Sequence, residues 1–495
     1  MSLNLSKSYL ILTVLSFLYI LALPPFGISI FYFLSVVGFL FFLLNNKSIK
    51  KKKIFFYFFL TKFIRLSWII QSFYTGGFGY LFLGLLLVFT LAAFIALLHF
   101  ILILAVQRFY SNEIIVIFLL PLSLTVVEIL KEFILGGFPW NPSPIIYFNN
   151  WLVLPLVSSL GVYGLSFIIH LIVGLLLLAI VKRNLPIFIT LIISTGLVTV
   201  MPLWNKTSQS DSYNSQETLN IAIIQPNIYE SLIQFDVLDN LEKYSEITKE
   251  ALNKEDSIDL VIWPEGALPI DLNNRQGLLQ KIGGLLDNNQ MLILGSSAME
   301  GDRLFNRLYM IDASGKIVQF YDKQKLVLFG EYVPWIKPLV SKFLNLGMNY
   351  SPGSEQKTIQ LTKNIQATPM ICFESVFHYP NINSNICQND LVIQISNDSW
   401  FGQWYGPQQH LANSLLRSVE FNKTLIRSTP SGVSAVINKR GSVIKKINNN
   451  QIGYIYYQHP VQNPQLSPCI STLNYIIFIL IFLYSSLFIY VRIKR

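Results

Sequence analysis

What constrains this chain most is the spacing of its long apolar runs. Stretches of about 20 mostly apolar residues can cross a bilayer as helices, and eight such runs lie at roughly 8–23, 25–44, 54–74, 79–106, 113–134, 160–181, 185–203 and 470–491. Seven crowd the first 204 residues and one lies near the C-terminal end. Residues 205–469 between them have the mixed composition of a soluble domain. The expected organisation is therefore a seven-helix membrane domain over 1–204, an α/β domain over 205–469 inserted before the last span, and a final helix with a basic tail over 470–495.

The first run is short and follows Lys7, as a signal peptide would. A second apolar run follows "PPFG" at once, with no small-residue cleavage pattern, so the two read as a hairpin of spans. "WLVLPLVSS" (151–159) is a candidate re-entrant segment. The net charge of +10 does not point to nucleic acid, because the basic residues flank spans: "NNKSIKKKK" (45–53) and the terminal "VRIKR". With a cytoplasmic N-terminus, the loops at 45–53, 107–112 and 182–184 and the tail carry Lys or Arg. The opposite loops, "YTGGFG" (74–79) and "GGFPWNPSP" (136–144), carry neither. The positive-inside rule then puts 205–469 outside the inner membrane of a multi-pass protein. Lys62, Arg65, Glu128, Lys131 and Glu132 fall within spans, which makes them functional candidates. Their positions near span ends or at helical spacing favour snorkelling or a local ion pair.

After residue 218 short β-rich runs alternate with polar, helix-like segments. Strand-like runs include "LNIAIIQPNI" (219–228), "DLVIWPE" (259–265), "MLILGSS" (291–297), "RLYMID" (307–312), "IQATPMICFE" (365–374), "DLVIQISND" (390–398), "LIRSTPSGVSAVIN" (425–438) and "IGYIYY" (452–457). Helical stretches lie between them at 236–254 and 407–421. Apolar strands alternating with helices imply sheets buried on both faces, and ligand sites in such folds gather at the carboxyl ends of strands. That rule selects Glu265 after "LVIW", Lys323 after the turn "DASGKIVQFYD" and Cys372 after "TPMI". A thiol beside a cation is expected to have a lowered pKa. A carboxylate can take its proton, and an ammonium can oppose a tetrahedral oxyanion with help from the backbone N–H of Phe373. Taken singly, a buried cysteine is a packing residue, a Glu after Trp-Pro a helix cap and a Lys in "YDKQK" solvated surface. Their shared position at strand ends is what argues for chemistry. The three cysteines (Cys372, Cys387, Cys469) cannot form a disulfide framework without leaving one over. With no C-x-x-C and five histidines at no ligand-like spacing, neither metal nor cofactor is expected.

In order along the chain, "VIWPEGALP", "YDKQKLVLFGEYVP", "ICFESVF" and "ISNDSWFG" resemble the nitrilase superfamily with its Glu–Lys–Cys triad. With seven spans before them, one after, and "GGFPW" in the membrane part, the chain resembles the bacterial apolipoprotein N-acyltransferase family over nearly its whole length. The resemblance implies a nitrilase-like α/β sandwich facing the periplasm. It implies that an acyl chain moves from the sn-1 position of a phospholipid to the α-amine of a lipoprotein's diacylglyceryl-modified N-terminal cysteine. By motif, Glu265 is the base, Lys323 the oxyanion stabiliser and Cys372 the nucleophile, while Glu331 of "FGEYVP" and Glu374 of "CFE" match further acids of the family's site. Leu328 replaces the family's proline in "LVPFGE", Phe373 replaces a tyrosine, and a family tryptophan falls near Gln234 or Phe235.

Other readings carry different expectations. A membrane-tethered amidase or nitrilase acting on a small C–N substrate would need one span rather than eight. A transporter would show paired, interrupted spans in related halves, and no such repeat is visible. "ISNDSWFGQWYG" (395–406) suits an acyl chain or bilayer surface, or else a buried loop. Trp400 and Phe401, with Trp404 and Tyr405, are candidates for a mobile cover hinged at Gly402 and Gly406. The expected partners are phospholipid and apolipoproteins, with no nucleic acid, and the expected state is a monomer.

Overall fold

Helices occupy six of the eight apolar runs. The computed structural model describes residues 5–45, 51–76, 78–107, 113–183, 218–229, 236–328, 330–332, 349–354, 358–378, 386 and 388–461. The runs at 185–203 and 470–491 lie outside the described residues, as do Gln234, Phe235, Cys387 and Cys469. The chain divides into two units: Met1–Ser210 with Cys469–Arg495, and Asp211–Pro468.

In the first unit the helices are α1 (Leu5–Leu21), α2 (Ile30–Asn45), α3 (Lys51–Leu66, prolonged by a 3-10 stretch Ser67–Gly76), α4 (Phe78–Gln107), α5 (Glu113–Phe133) and α6 (Val157–Lys182). Lys51–Phe73, Leu81–Gln107 and Leu154–Lys182 are long and apolar enough to cross a membrane, and Ser6–Leu21 and Ile30–Asn45 are apolar but shorter. α1 packs on α2 and α3, α3 on α4, α4 on α5, α5 on α6, and α6 on α2. The segment at 151–159 is a turn and a short 3-10 helix, Leu154–Leu156, that leads into α6. α6 kinks at Gly161, whose φ of +66° suits a residue without Cβ.

The charges within the apolar runs are turned inward, which corrects the snorkelling reading. Lys62, Arg65, Glu128, Lys131 and Glu132 are all buried. Arg65, Glu128 and Lys131 serve the irregular segment between α5 and α6, whose backbone polar groups need partners in an apolar setting. Arg65 donates to the Asn141 carbonyl at 2.7 Å and to the Tyr19 hydroxyl at 3.1 Å. Lys131 donates to the Trp140 carbonyl at 3.2 Å. Glu128 accepts from the Ser143 N–H at 3.0 Å and the Ser166 hydroxyl at 2.6 Å, and Glu132 accepts from Tyr163. Side-chain charge thus secures the "PWNPS" backbone.

The second unit is built on two sheets. Its strands are β1 (Thr218–Gln225), β2 (Leu260–Ile262), β3 (Leu268–Asp271), β4 (Met291–Glu300), β5 (Arg303–Asp312), β6 (Ile317–Asp322), β7 (Ile359–Gln360), β8 (Gln366–Ile371), β9 (Leu391–Ile395), β10 (Thr424–Ser428), β11 (Ser434–Ile437), β12 (Val443–Ile447) and β13 (Gly453–Pro460). The helices are α7 (Val237–Lys254), α8 (Gln276–Gly283) and α9 (Gly406–Phe421). The first sheet has the order β13-β1-β2-β4-β5-β6 with β3 beside β4, and the second has the order β12-β11-β10-β9-β8-β7. Each has a parallel centre, β1-β2-β4 in one and β8-β9-β10 in the other, and antiparallel flanks. Asp236 caps α7 by accepting from the N–H groups of Leu238 and Asp239 at 2.9 and 3.2 Å. One apolar core lies between α7, α8 and the first sheet, including Tyr244, Ile247, Val261, Trp263 and Leu292. The two sheets meet through hydrogen bonds: the Ser428 hydroxyl reaches the Ile224 and Ile262 carbonyls at 3.4 Å, and the Gln225 amide oxygen accepts from the Ser434 N–H at 3.0 Å. Helix, sheet, sheet and helix therefore stack in layers.

The run 425–438, read as one strand, is a hairpin of β10 and β11 with the turn around Pro430–Gly432. A proline and a glycine there interrupt the ladder, as turn residues do.

Candidate active site

Three strand ends carry the candidate groups. Trp263, just past β2, is fully buried. Its backbone N–H bonds the Ile293 carbonyl at 2.8 Å, its indole N–H bonds Thr248 at 3.0 Å, and its ring stacks on Tyr244 with centroids 4.9 Å apart. That anchor fixes the departure of Pro264 and Glu265. β4 comes so close that a Cβ on Gly295 would lie 2.5 Å from the Glu265 Cα. Lys323 follows β6 directly and continues its pairing, with its N–H on the Asn306 carbonyl of β5 at 2.9 Å. Cys372 follows β8 and opens a 3-10 helix, Cys372–Val376, with φ at +51°. A non-glycine residue in this left-handed region costs about 1–2 kcal/mol. Such strain persists where the surroundings impose it, often at functional sites.

The structure brings Glu265, Lys323 and Glu331 into one array, with Glu265 and Lys323 buried and Glu331 partly buried. Glu265 Oε1 accepts from Lys323 Nζ at 3.1 Å and Asn306 Nδ2 at 2.7 Å, while its Oε2 accepts from the Asn397 N–H at 2.7 Å. Glu331 Oε1 accepts from the same Lys323 and Asn306 nitrogens at 2.7 and 2.9 Å, and its Oε2 accepts from the Val327 N–H at 2.8 Å. Asn397 follows β9 in the second sheet, so its bond to Glu265 joins the two sheets at the site. Burial alone would lower the Lys323 ammonium, but the Glu265 and Glu331 carboxylates hold it well above its ordinary value. It is a fixed cation.

The thiol departs from expectation. Burial and the Glu265 charge push the Cys372 thiol well above its ordinary value, outweighing the opposing pull of Lys323 and Ser396. One ammonium faces two carboxylates, so a third negative charge is disfavoured. The resting Cys372 is a neutral thiol, and to act as a nucleophile it would have to pass its proton on. Glu265, acting on the thiol and taking a single hydrogen bond at Oε2, has the acceptor capacity for that proton.

Glu374 is near the nucleophile in sequence but serves the scaffold. Its Oε1 accepts from the Tyr321 hydroxyl at 2.8 Å and the Gln324 and Lys325 N–H groups at 2.7 and 3.3 Å, and its Oε2 accepts from the Ile371 N–H at 2.7 Å. It ties the turn after Lys323 to the strand that delivers Cys372. Burial raises its pKa, and these hydrogen bonds limit the rise. Phe373 is buried edge-on to Phe377 with centroids 5.3 Å apart. The aromatic stretch divides in two: Phe401 packs edge-on against His410 at 4.8 Å, whereas Trp400 and Trp404 are exposed. Asn306 and Asn397 went unnoticed as site residues in the sequence. Asn397 lies within the conspicuous "ISNDSWFG", but Asn306 sits in "RLFNRLYM" with nothing to mark it. Among the described residues no group of His, Cys, Asp and Glu could hold a metal ion.

Two family models match the chain: the apolipoprotein N-acyltransferase N-terminal domain over residues 15–175 and the carbon–nitrogen hydrolase over 220–464. The apolipoprotein N-acyltransferases of Rickettsia typhi and Rickettsia prowazekii are each 31% identical over 338 residues, covering 66% of this chain and 67% of the relative. That of Rhizobium rhizogenes is 36% identical over 208 residues, 40% of this chain and 39% of the relative. Among solved structures, a CN-hydrolase superfamily protein from Xanthomonas campestris aligns with TM-score 0.38 and 18% identity, covering 49% of this chain and 91% of that one. The chain thus belongs to the apolipoprotein N-acyltransferase family, with its candidate catalytic groups on the carbon–nitrogen hydrolase part.

Proposed function

We propose that the protein moves a fatty acyl chain from a phospholipid, through a thioester on Cys372, to the α-amino group of the diacylglyceryl-modified N-terminal cysteine of apolipoproteins. The observation that carries this reading is the Glu265–Lys323–Glu331 array facing a neutral thiol at a strained strand end. In the first step Glu265 takes the Cys372 proton as sulfur attacks the ester carbonyl. The oxyanion is opposed by Lys323 Nζ and the Phe373 N–H. Collapse breaks the ester C–O bond, and Glu265 returns the proton to the departing lysophospholipid oxygen. In the second step the amine attacks the thioester, gives up a proton to Glu265, and the proton passes to sulfur as the thiol leaves. An α-amine with a reference pKa of about 8 is partly neutral near pH 7 and so can attack. Lys323 stays protonated throughout, which suits an electrostatic role and not proton transfer.

Splitting the reaction this way predicts ping-pong kinetics. Purified protein given only a labelled phospholipid is expected to accumulate a hydroxylamine-labile acyl group on Cys372, and Cys372→Ala to accumulate none. Full transfer by Cys372→Ala would sink the reading. The donor is read as the sn-1 chain, the working unit as a monomer, and the location as a multi-pass inner-membrane protein with a periplasmic catalytic domain. Lysine and arginine placement supports the orientation. Reporters fused near Ser210 and within 47–53 are expected on opposite sides of the membrane.

A further inference from the structure

Beneath the nucleophile lies a buried polar assembly that the steps above do not use. The Cys372 carbonyl oxygen lies 3.2 Å from each of three groups: Gln394 Nε2, His410 Nε2 and the Ser375 hydroxyl. Gln394 Nε2 also donates to the Ser375 hydroxyl at 2.9 Å, and its Oε1 accepts from Ser414 at 2.7 Å, which sets the direction of the amide. Arg427 donates to the Ser414 oxygen at 3.1 Å and, through Nη2, to both Asp398 oxygens at 2.7 and 2.6 Å. Asp398 in turn lies 2.9 Å from His410 Nδ1, closing the loop. Gln394, Ser375, Ser414, His410, Asp398 and Arg427 are all essentially inaccessible to solvent.

The fold explains the convergence. Strand register aligns Met370 of β8, Gln394 of β9 and Arg427 of β10 across the second sheet. His410 and Ser414 are four residues apart on α9, hence on one face. Asp398 is ionised beside Arg427, so His410 donates from Nδ1 to it and accepts at Nε2 from the Ser375 hydroxyl. Gln394 donates to the Cys372 carbonyl. Burial and the Arg427 charge hold the His410 pKa down despite Asp398, consistent with a neutral ring.

We infer that Gln394, His410 and Asp398 are positioning residues that fix the peptide between Cys372 and Phe373 and thereby aim the Phe373 N–H at the oxyanion of each tetrahedral intermediate. The link is the planarity of the peptide. In a trans unit the N–H points opposite the C=O, so gripping the carbonyl from below directs the amide away from the grip. The same grip holds Cys372 in its left-handed conformation. The inference rests on the acyl-transfer reading and adds to it where the aim of the second oxyanion donor comes from.

The test separates oxyanion support from nucleophile reactivity. Acylation by phospholipid passes through an oxyanion, whereas alkylation of the same thiol by iodoacetamide does not. Gln394→Met and His410→Leu are expected to slow single-turnover thioester formation roughly a hundred-fold, the scale of one lost oxyanion donor. The effect should fall on kcat with KM little changed, and alkylation of Cys372 should stay close to the wild-type rate. His410→Gln, which keeps an amide able to donate or accept, should recover much of the acylation rate and guards against a variant that fails to fold. Acylation at the wild-type rate in both apolar variants, or acylation and alkylation falling together in a folded His410→Gln protein, would overturn the inference. Transfer by Cys372→Ala would instead remove the acyl-transfer reading beneath it.

Discussion

Lys323→Met is the sharpest probe of the array, because it removes one charge and leaves the shape of the stem. The lysine nitrogen lies 3.1 Å from Glu265 Oε1 and 2.7 Å from Glu331 Oε1, so those oxygens are less than about 6 Å apart. Two unscreened carboxylates at that separation repel by about 3 kcal/mol at an effective dielectric of 20. Removing one partner from a buried charge pair costs about 3–5 kcal/mol on its own account. Both estimates point to the same scale, which for a unit of this size corresponds to a fall of roughly 6–20 °C in the apparent unfolding temperature. Intrinsic tryptophan fluorescence of detergent-solubilised protein would follow it, since Trp263 is buried beside Glu265. The double variant Lys323→Met, Glu331→Gln removes the repulsion and leaves Glu265 with the Asn306 and Asn397 donors. It should regain most of the lost stability and none of the thioester formation. If the single variant is as stable as wild type, or the second substitution lowers stability further, the lysine is not the charge that holds the two acids together.

Three further outcomes follow from the geometry. Because burial and Glu265 raise the Cys372 pKa, the thiol is neutral below the raised value and its thiolate fraction keeps growing with pH. Iodoacetamide labelling should climb past about pH 9, beyond the ordinary thiol value of about 8.5, and a plateau near pH 7 would contradict this. Gly295→Ala would place a methyl 2.5 Å from the Glu265 backbone, so a loss of about 1–3 kcal/mol with impaired thioester formation is expected; normal acylation would show that the close approach is dispensable. Trp400 is exposed and Phe401 is packed on His410. Trp400→Ala should therefore speed hydrolysis of the thioester with little change in unfolding temperature, whereas Phe401→Ala should cost about 3 kcal/mol. Equal behaviour of the two would refute the division of the aromatic stretch into cover and core.

Much of the α/β unit was legible because its central strands are continuous apolar runs, and strand ends are where such folds place ligands. That logic reached Glu265, Lys323 and Cys372 without any contact information. The short or polar strands were not legible. β12 is "VIKKI" with its first four residues exposed, and its two lysines suit an edge strand that discourages further pairing. β6, "IVQFYD", was read as part of a turn because only Tyr321 in it is buried. The charges among the apolar helices misled in a different way. Their spacing suggested helix ends and local pairs, yet Arg65 and Lys131 serve carbonyls of a segment some 76 and 9 residues away, a partnership set by packing.

The least legible property was the protonation state of the nucleophile, since it depends on a count of charges brought together from distant positions. Glu265 and Lys323 alone make a neutral pair, yet burial still disfavours a thiolate beside them. Burial and Glu265 are the main causes that raise the thiol, and Glu331, whose Oε1 shares the same ammonium and the same Asn306 amide, adds a smaller rise in the same direction. With two carboxylates already on one ammonium, the proposed mechanism lets sulfur become anionic as its proton moves onto Glu265, which leaves the charge of the group unchanged. Bond formation to carbon then shifts the negative charge from sulfur to the oxyanion, beside Lys323. The second acid therefore has a use beyond holding the lysine. It adds to the cost of a free thiolate, and under the proposed acyl transfer this favours deprotonation of Cys372 together with attack on an acyl group.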